Sequence, residues 1–595
     1  MRLLVILILI LTAFLTLNTI LLDNLNNLPT KLIGLTQEIL ILFMFIILAS
    51  FIKNKKIKSF IIFTFFAIFY TIYTLQTLSL YLTGDVLNIA SFANATQAYL
   101  LLNSSMILKI AIALIIFWGF IKLINSSIDT KFIVRVIIFF IILGSYMELI
   151  KYKHSLGKID TLMPIKSFYE TAKNYYSFKK SKVSKLTKDD INLAKKFNIY
   201  INLNKKKPFE KDYLYKKDFP FKQISTKKPN IIVFYIESLS ARLLEPYNKK
   251  MSSVTPNIKD FAKNSMVVKG YYNHATPTAP ALYGQNCSLY PLLRYDDFNK
   301  EANPLKHLKL NCIANYFKKA NYNTVYLTHS RGTYSYIKEN LHLWGYQDIF
   351  LWKNLLKKYL PNDKELILGE TGLSDHQMMR ALVNFLKENN SSKPLFLGVS
   401  TIETHIGFEP NSTDGLKYKD GSSNTLNMIY NFDDAFKIFW DYFKNSKYYK
   451  NSIVILTADH ALYPNIDYKK VAGDDWISSV YDKISLIIYD PIHKMPKNYS
   501  TNASSIDLAP TLAHLANLPK SQKNSFLGTS IFDTKEYNNS FGISAYRDFN
   551  FYIDKNSSVV NVKIKYVDDK ELKKEYNSLK NIMKFVEYLQ NVGRF

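Results

Sequence analysis

Five apolar stretches near the amino terminus constrain the fold of this chain more than any other feature of its sequence. Each is about 20 residues long, which is the length that an α-helix needs to cross the hydrocarbon core of a bilayer. The first stretch lacks a small-residue cleavage site and four more follow it, so we interpret it as a span and not as a signal peptide. We therefore predict a five-helix transmembrane domain over residues 1–150, with spans at 3–22, 32–52, 60–82, 106–124 and 132–150.

The basic residues between these stretches predict the orientation of the chain in the membrane. Arg2, the lysines at 53–58 and the bases at 122–135 fall on one side. The loops around Asp23 and Asp85, on the other side, contain few basic residues. Because Lys and Arg are enriched in cytoplasmic loops, we expect the amino terminus in the cytoplasm. Five crossings then place everything after about residue 151 outside the cytoplasm.

The positive charge of the chain is concentrated directly after the last apolar stretch. The formal net charge is +28, and such a charge is also typical of nucleic-acid-binding proteins. Residues 151–228, however, contain 21 Lys against seven Asp and Glu. Beside a membrane this segment would contact anionic lipid headgroups, so we interpret it as a basic juxtamembrane linker and expect no nucleic-acid partner. A solvated Lys-rich linker without a binding role is the alternative.

Downstream of the linker, short apolar runs alternate with amphipathic helical segments. Runs rich in β-branched and aromatic residues occupy 229–237, 323–327, 395–400, 452–457 and 484–489. Helical patterns lie between them at 313–320 and 376–388. Continuous apolar strands that alternate with helices are typical of a mostly parallel sheet covered on both faces. We therefore predict an α/β domain over 229–535, followed by a C-terminal extension, 536–595, that packs on it.

Carboxylate and imidazole side chains stand at or just past the ends of several predicted strands. Glu237 ends the first run, and Asp459 and His460 follow the fourth. His405 follows the third. Ligand sites of parallel α/β sheets gather at the carboxyl ends of the strands, and this mix of oxygen and nitrogen donors suits zinc or manganese. Taken singly, each group is also compatible with a polar turn.

A threonine between two prolines is the candidate nucleophile. Thr278 lies in a loop before a helix that we expect to begin near Ala279 or Pro280, where proline is tolerated in the first turn. Backbone N–H groups at such a helix start favour a phosphate, and metal coordination can convert a threonine hydroxyl into a nucleophilic alkoxide. The alternative is that Thr276 and Thr278 only cap the helix.

The chain contains two cysteines, Cys287 and Cys312, which are too few for a zinc-ribbon ligand set. If their segment lies outside the cytoplasm, as the orientation predicts, a disulfide between them is favoured. We predict this bridge, which would close the loop that follows the nucleophile helix. Two unrelated free thiols are the alternative, because sequence alone does not show that the β-carbons approach each other.

Together these residues resemble a known family. Glu237, Thr278, the Asp459–His460 pair and segment 401–405 are similar, in this arrangement, to the alkaline-phosphatase-like group of lipoteichoic acid synthases and phosphoethanolamine transferases. Segments 505–512 and 527–530 are similar to the late signature of the sulfatase superfamily. The resemblance implies an alkaline-phosphatase-like (sulfatase) fold in the bacterial inner (cytoplasmic) membrane, with a periplasmic catalytic domain. It also implies one divalent metal ion, Mn²⁺ or Zn²⁺, bound by Glu237, Thr278, Asp459 and His460, with Thr278 as nucleophile.

The resemblance implies headgroup recognition by three further residues. His405 matches the histidine that binds the substrate headgroup or assists the departing oxygen in those enzymes. The stretch that begins His329-Ser-Arg331 corresponds to the one that holds glycerol phosphate in lipoteichoic acid synthases, which implies substrate binding by His329 and Arg331. In the sulfatase register, residues 278–282 read Thr-Ala-Pro-Ala-Leu. They lack both the convertible Cys or Ser and the arginine, which argues against sulfate ester hydrolysis.

The resemblance thus implies a metal-dependent transferase that moves a phosphoglycerol headgroup from phosphatidylglycerol to a glycan or lipid acceptor through a phospho-threonine intermediate. Phosphoethanolamine transfer is the nearest alternative, although the cysteine that such enzymes typically carry shortly before the nucleophile is absent here. Transfer of the intermediate to water would make the protein a phosphodiesterase or another sulfatase-family hydrolase. A membrane scaffold or sensor that keeps the fold without catalysis is the alternative from a different class.

Overall fold

The computed structural model of the chain describes residues 185–212, 218–291, 310–330, 332, 337–364, 372–405, 416–473, 481–519, 523–533, 540–544, 549–555, 558–563, 570–591 and 594, with short pieces between 45 and 76. The chain divides into two compact units, Met1–Ser181 and Lys182–Phe595. Most of the predicted spans, and linker residues 151–184, lie outside the described residues. In the part of the chain that the structure describes, no helix has both the length and the apolar composition needed to cross a membrane.

The second unit is built around a sheet of eight strands. The described strands are β1 (Asn230–Ile236), β2 (Met266–Tyr272), β3 (Ala275–Thr276), β4 (Asn323–Thr328), β5 (Asp348–Phe350), β6 (Leu395–Ser400), β7 (Ser452–Ala458), β8 (Leu486–Tyr489), β9 (Asn498–Ser504), β10 (Ser540–Ser544), β11 (Phe549–Lys555) and β12 (Ser558–Lys563). The eight-stranded sheet has the order β5-β4-β6-β1-β7-β8-β2-β9. Within it, β8 pairs antiparallel with β7 and β2, and the remaining pairs are parallel. The predicted α/β domain with a mostly parallel sheet is therefore confirmed.

Helices cover both faces of this sheet. The described α-helices are α1 (Lys188–Lys196), α2 (Pro256–Lys263), α3 (Thr278–Cys287), α4 (Ile313–Lys319), α5 (Ile337–Trp344), α6 (Trp352–Tyr359), α7 (Asp375–Glu388), α8 (Asn424–Lys444), α9 (Ile466–Ala472), α10 (Leu508–Leu515) and α11 (Lys570–Asn591). Successive side chains of a strand point to opposite faces, and β1 shows both. Phe234 packs edge-on against Phe436 and Phe439 of α8, whereas the neighbouring Tyr235 donates a hydrogen bond to Asn286 of α3. A strand covered in this way needs the continuous apolar sequence that β1 has.

A second sheet joins the C-terminal strands to a short strand that precedes the candidate nucleophile. Its order is β12-β11-β10-β3, and β10 pairs in parallel with β3 through Ile543 opposite Ala275. The Ile543 N–H also donates to the His274 carbonyl at 2.8 Å. Because β3 ends two residues before Thr278, strand β10 supports the loop that leads to this threonine.

Two further contacts tie α3 into the second unit. At its carboxyl end, Cys287 forms a disulfide with Cys312, and their Cα atoms are 3.9 Å apart. Near its middle, the Tyr283 hydroxyl accepts a hydrogen bond from Gln590 Nε2 of α11 at 3.2 Å. The long C-terminal helix thus contacts the helix whose first residue is Thr278.

Candidate metal centre and nucleophile

Parallel register brings two strand ends together at the candidate site. Ile236, the last residue of β1, lies opposite Ala458, the last residue of β7. The Asp459 N–H donates to the Ile236 carbonyl at 3.0 Å. The next residues, Glu237 on one strand and Asp459 with His460 on the other, therefore leave the sheet side by side, where sites of such sheets are found.

Glu237, Asp459 and His460 form a compact buried group. One ligand atom from each residue lies within 4.8 Å of the other two. His460 Nε2 is 3.7 Å from Glu237 Oε1 and 3.5 Å from Asp459 Oδ2. All three residues are at most 3% exposed. Among the described residues, no second group of three or more His, Cys, Asp or Glu is close enough to hold a metal ion.

The hydrogen bonds around this group leave ligand atoms available for a cation. Asp459 Oδ1 accepts the N–H groups of Ser238 at 2.8 Å and His460 at 2.6 Å. Asp459 Oδ2 is buried and has no hydrogen-bond partner in the described part of the chain. His460 Nδ1 lies 2.8 Å from the Ala461 carbonyl, and a proton on Nδ1 leaves the Nε2 lone pair facing the carboxylates.

Electrostatics favour positive charge at the same place. Burial, and then the charge of Asp459, raise the pKa of Glu237 to about 8, although His460 and hydrogen bonds from Ser238 and Thr278 act in the opposite direction. Buried carboxylates are costly unless a cation compensates them, and a cation in contact with Glu237 would favour its ionised form. The group therefore fits a divalent metal ion and can bind one.

Thr278 is the first residue of α3 and lies beside this group. Its Oγ1 donates to Glu237 Oε2 at 3.1 Å and lies 3.4 Å from Oε1. A capping role is wrong, because Pro277 occupies the cap position and no side chain caps the helix. The hydroxyl is instead held by a candidate metal ligand, and the backbone N–H groups of Thr278 and Ala279 stand at the start of the helix, where an anion can bind.

Two residues that the sequence did not single out hold the candidate ligands in place. Ser238 Oγ donates to Glu237 Oε1 at 2.6 Å. Gln285 of α3 donates from Nε2 to the carbonyls of Ala458 at 2.8 Å and Asp459 at 2.9 Å. The position of Ser238 next to Glu237 was its one signal in the sequence. Gln285 had none, because its contacts depend on how α3 packs on the end of β7.

The two histidines expected to bind the headgroup lie at the same edge of the sheet. His329 follows β4 directly, and the half-buried His405 lies shortly after β6; with β1 and β7 these are four neighbouring strands. Burial of the ring, and then the nearby His405, lower the pKa of His329 to about 3. His329 is therefore neutral at neutral pH. Arg331 lies outside the described residues.

Comparison with known proteins relates this domain to a family. Residues 229–518 match the family model described as Sulfatase. The chain is 25% identical to lipoteichoic acid synthase 1 of Bacillus subtilis over 358 residues, which cover 57% of this chain and 53% of that protein. The chain thus spans about half the length of this curated relative.

Two solved structures share the fold. A protein in the alkaline phosphatase superfamily from Vibrio parahaemolyticus has a TM-score of 0.52 and 16% identity, over 69% of this chain and 98% of that one. The lipoteichoic acid synthase LtaP from Listeria monocytogenes has a TM-score of 0.51 and 15% identity, over 68% of this chain and 98% of that one. At these identities the likeness shows the fold alone, and it confirms the expected alkaline-phosphatase-like architecture.

Proposed function

We propose that this chain, whose residues 229–518 match the Sulfatase family model and whose fold is shared with a protein in the alkaline phosphatase superfamily, is a metal-dependent transferase. It moves a phosphoglycerol headgroup from phosphatidylglycerol to a glycan or lipid acceptor through a phosphorylated Thr278. One observation carries the proposal: the Thr278 hydroxyl, at the start of a helix, donates to Glu237 within a buried Glu–Asp–His group. The similarity to lipoteichoic acid synthase 1 supports the choice of headgroup.

Glu237, Asp459, His460 and Thr278 would hold one divalent ion, Mn²⁺ or Zn²⁺. Both ions accept this mix of carboxylate, imidazole and hydroxyl ligands. When bound, the ion supplies positive charge that lowers the pKa of the Thr278 hydroxyl and polarises a phosphoryl oxygen.

The chain's own residues would carry out the transfer in two steps. Glu237 Oε2 orients Thr278 Oγ1, whose proton is released to solvent, and the deprotonated oxygen attacks phosphorus in line, so that an oxygen–phosphorus bond forms while the bond to diacylglycerol breaks. His405 begins the cycle protonated and gives its proton to the departing diacylglycerol oxygen. In the second step His405 removes the proton from an acceptor hydroxyl, which displaces Thr278 from phosphorus. The N–H groups at the start of α3 hold the phosphoryl oxygens throughout.

His329 and Arg331 would recognise the headgroup. A neutral imidazole can both donate to and accept from the hydroxyls of glycerol, and His329 stays neutral because its pKa is low. Its Nδ1 is buried and has no hydrogen-bond partner among the described residues, so a ligand hydroxyl would satisfy it. Arg331 would pair with the phosphate.

We also propose that residues 1–150 anchor the chain in the bacterial inner (cytoplasmic) membrane, with the catalytic domain on the periplasmic side. The Cys287–Cys312 disulfide supports this side, because such bonds persist in oxidising compartments. Protease added to spheroplasts should digest the catalytic domain. Protection of that domain would place it in the cytoplasm instead.

The function is tested with the full-length protein, purified in detergent and supplied with Mn²⁺. It is incubated with phosphatidylglycerol or phosphatidylethanolamine labelled in the headgroup, and both diacylglycerol release and label on the protein are followed. We expect turnover of phosphatidylglycerol and label on the wild type. Thr278→Ala should carry no label, while the matched control Thr278→Ser keeps a hydroxyl and should still be labelled.

Other outcomes identify the alternatives. Preference for phosphatidylethanolamine would make the protein a phosphoethanolamine transferase. Release of the headgroup phosphate to water, even when glycan and lipid acceptors are present, would make it a hydrolase. A folded, metal-loaded protein without turnover of either lipid would favour a scaffold or sensor.

A further inference from the structure

Two buried acids near the candidate site have no part in the mechanism above. Asp375 is the first residue of α7, and Glu403 lies in the segment after β6; neither is exposed to solvent. Their contacts are reciprocal. Asp375 Oδ1 accepts the N–H of Ile402 at 2.9 Å and that of Glu403 at 3.4 Å, and Glu403 Oε2 accepts the N–H of Asp375 at 2.7 Å. The Asn431 side chain of α8 donates to the same Glu403 oxygen at 3.2 Å.

The segment that these acids hold, residues 401–405, contacts the candidate metal ligand Glu237 twice. Thr401 Oγ1 accepts the Glu237 N–H at 3.2 Å, and the Thr404 hydroxyl donates to the Glu237 carbonyl. At the end of the segment, the His405 N–H donates to the Ile402 carbonyl at 2.9 Å. Displacement of segment 401–405 would therefore move a metal ligand and the candidate acid–base histidine together.

We propose that Asp375 and Glu403 are positioning residues that hold segment 401–405, and with it Glu237 and His405, in the geometry that metal binding and transfer require. This inference deepens the proposed function and rests on it for the role of His405. The effect on Glu237 can be measured as Mn²⁺ affinity, without any turnover.

The surroundings explain how two acids can be buried together. Burial, and then the charge of Glu403, raise the pKa of Asp375 well above its ordinary value, which favours the neutral form of this carboxyl group. Asp375 Oδ2 is buried and accepts no hydrogen bond from the described residues. Ionised carboxylate oxygens accept main-chain N–H groups more strongly than neutral oxygens do. Apolar replacement of either acid would leave such N–H groups buried and unsatisfied.

Two substitutions of Glu403 separate positioning from simple structural support. Glu403→Leu removes the acceptor, whereas Glu403→Gln keeps an oxygen that can accept the Asp375 N–H. Mn²⁺ affinity, the kcat and KM of diacylglycerol release, and the thermal unfolding midpoint are measured for the full-length variants. We expect Glu403→Leu to weaken Mn²⁺ binding about tenfold and to lower kcat about 100-fold with little change in KM, because small displacements of ligands and reacting groups have effects of this size.

Glu403→Gln should restore most of both losses, because it restores the hydrogen bonds. A folded Glu403→Leu protein with wild-type Mn²⁺ affinity and kcat would overturn the proposal. So would a Glu403→Gln protein that is as impaired as Glu403→Leu.

Thr404 provides a second test if Glu403→Leu does not fold. Thr404→Val has nearly the same shape but cannot donate to the Glu237 carbonyl, whereas Thr404→Ser can. We expect the valine variant to weaken Mn²⁺ binding about fivefold, the equivalent of one hydrogen bond, and the serine variant to bind more tightly than it. Equal Mn²⁺ affinity in Thr404→Val and the wild type would show that segment 401–405 does not position Glu237, and the proposal would fail.

Failure of the proposed function would look different from failure of this inference. A wild-type protein that binds Mn²⁺ but releases diacylglycerol from neither lipid would refute the transferase, while the Mn²⁺ affinities of the paired variants would still test the two acids. An active wild type whose Glu403→Leu and Thr404→Val variants match it in every measurement would refute the positioning role alone.

Discussion

Gly284→Ala tests how tightly α3, the helix that begins with Thr278, is packed. An ideal Cβ at this position would lie 1.7 Å from His274 Nε2 and 2.5 Å from the Leu289 carbonyl oxygen. Ordinary contacts of a Cβ begin at 3.4 Å, so the ring would have to move by about 1.7 Å, the difference between 3.4 and 1.7 Å. His274 is fully buried and its Nδ1 lies 2.6 Å from Ser505 Oγ, which leaves the ring little room to turn away.

Two effects oppose each other in this substitution. Helix propensity favours alanine over glycine inside a helix by about 1 kcal/mol. Overpacking a filled core costs about 1–3 kcal/mol, and the overlap with a backbone carbonyl as well as a ring favours the upper end of this range. We therefore expect Gly284→Ala to lower the free energy of unfolding by about 2 kcal/mol. Because Thr278 is on the same helix, kcat should fall as well.

The assay is a double-mutant cycle on the full-length protein, in which unfolding by urea and kcat are measured for Gly284→Ala, His274→Ala and the double variant. Removal of the imidazole relieves one of the two overlaps, so the double variant should lose less stability than the sum of the single losses. A Gly284→Ala protein at least as stable as the wild type would refute the packing argument, as would strictly additive losses.

Three further predictions concern the ligands, the disulfide and a buried histidine. Asp459→Asn keeps an acceptor for the N–H groups at Oδ1 but removes the charge, so Mn²⁺ affinity measured by titration should fall about 100-fold; unchanged affinity would exclude Asp459 as a ligand. The Cys287–Cys312 bridge has a sequence separation of 25 residues, so replacement of both cysteines by alanine should lower the free energy of unfolding by about 3 kcal/mol. Labelling of both wild-type thiols by an alkylating reagent without reductant would contradict the bridge. Burial lowers the pKa of His274 from its ordinary value of 6.5 to about 3. Between these values the unfolded chain binds a proton that the folded chain excludes, so stability should fall on acidification by about 1.4 kcal/mol per pH unit from this group, and an unchanged slope in His274→Gln would contradict this account.

The strands that could be predicted from the sequence are those buried on both faces. The apolar runs at 395–400 and 452–457 coincide closely with β6 and β7, because a covered strand needs a continuous apolar sequence. β9, Asn498–Ser504, was not predicted because its sequence is polar and its first residues are partly exposed. The antiparallel direction of β8 was not predictable either, since an apolar run carries no information about the direction of its neighbours.

The candidate ligands could be predicted because they stand at the ends of recognisable strands, whereas the residues that support them could not. Glu237 and Asp459 became candidates through their positions at strand ends, and the family resemblance then implied their role as metal ligands. Ser238 has a positive φ of 49°, a backbone conformation that its sequence neighbours do not indicate. The reach of Gln285 and Thr404 to backbone carbonyls depends on packing between segments far apart in the chain. Tertiary contacts of this kind leave no periodic pattern in a sequence.

Because β10 pairs with β3, the sheet beside Thr278 can be completed only after most of the described chain has been synthesised. Translation begins at the amino terminus, so the ribosome adds Thr278 long before residues 540–544, which complete the sheet beside it. Until those residues emerge, the stretch leading to the threonine lacks its partner. We therefore expect a polypeptide that terminates before residue 540 to be inert, because strand β10 is then missing beside β3.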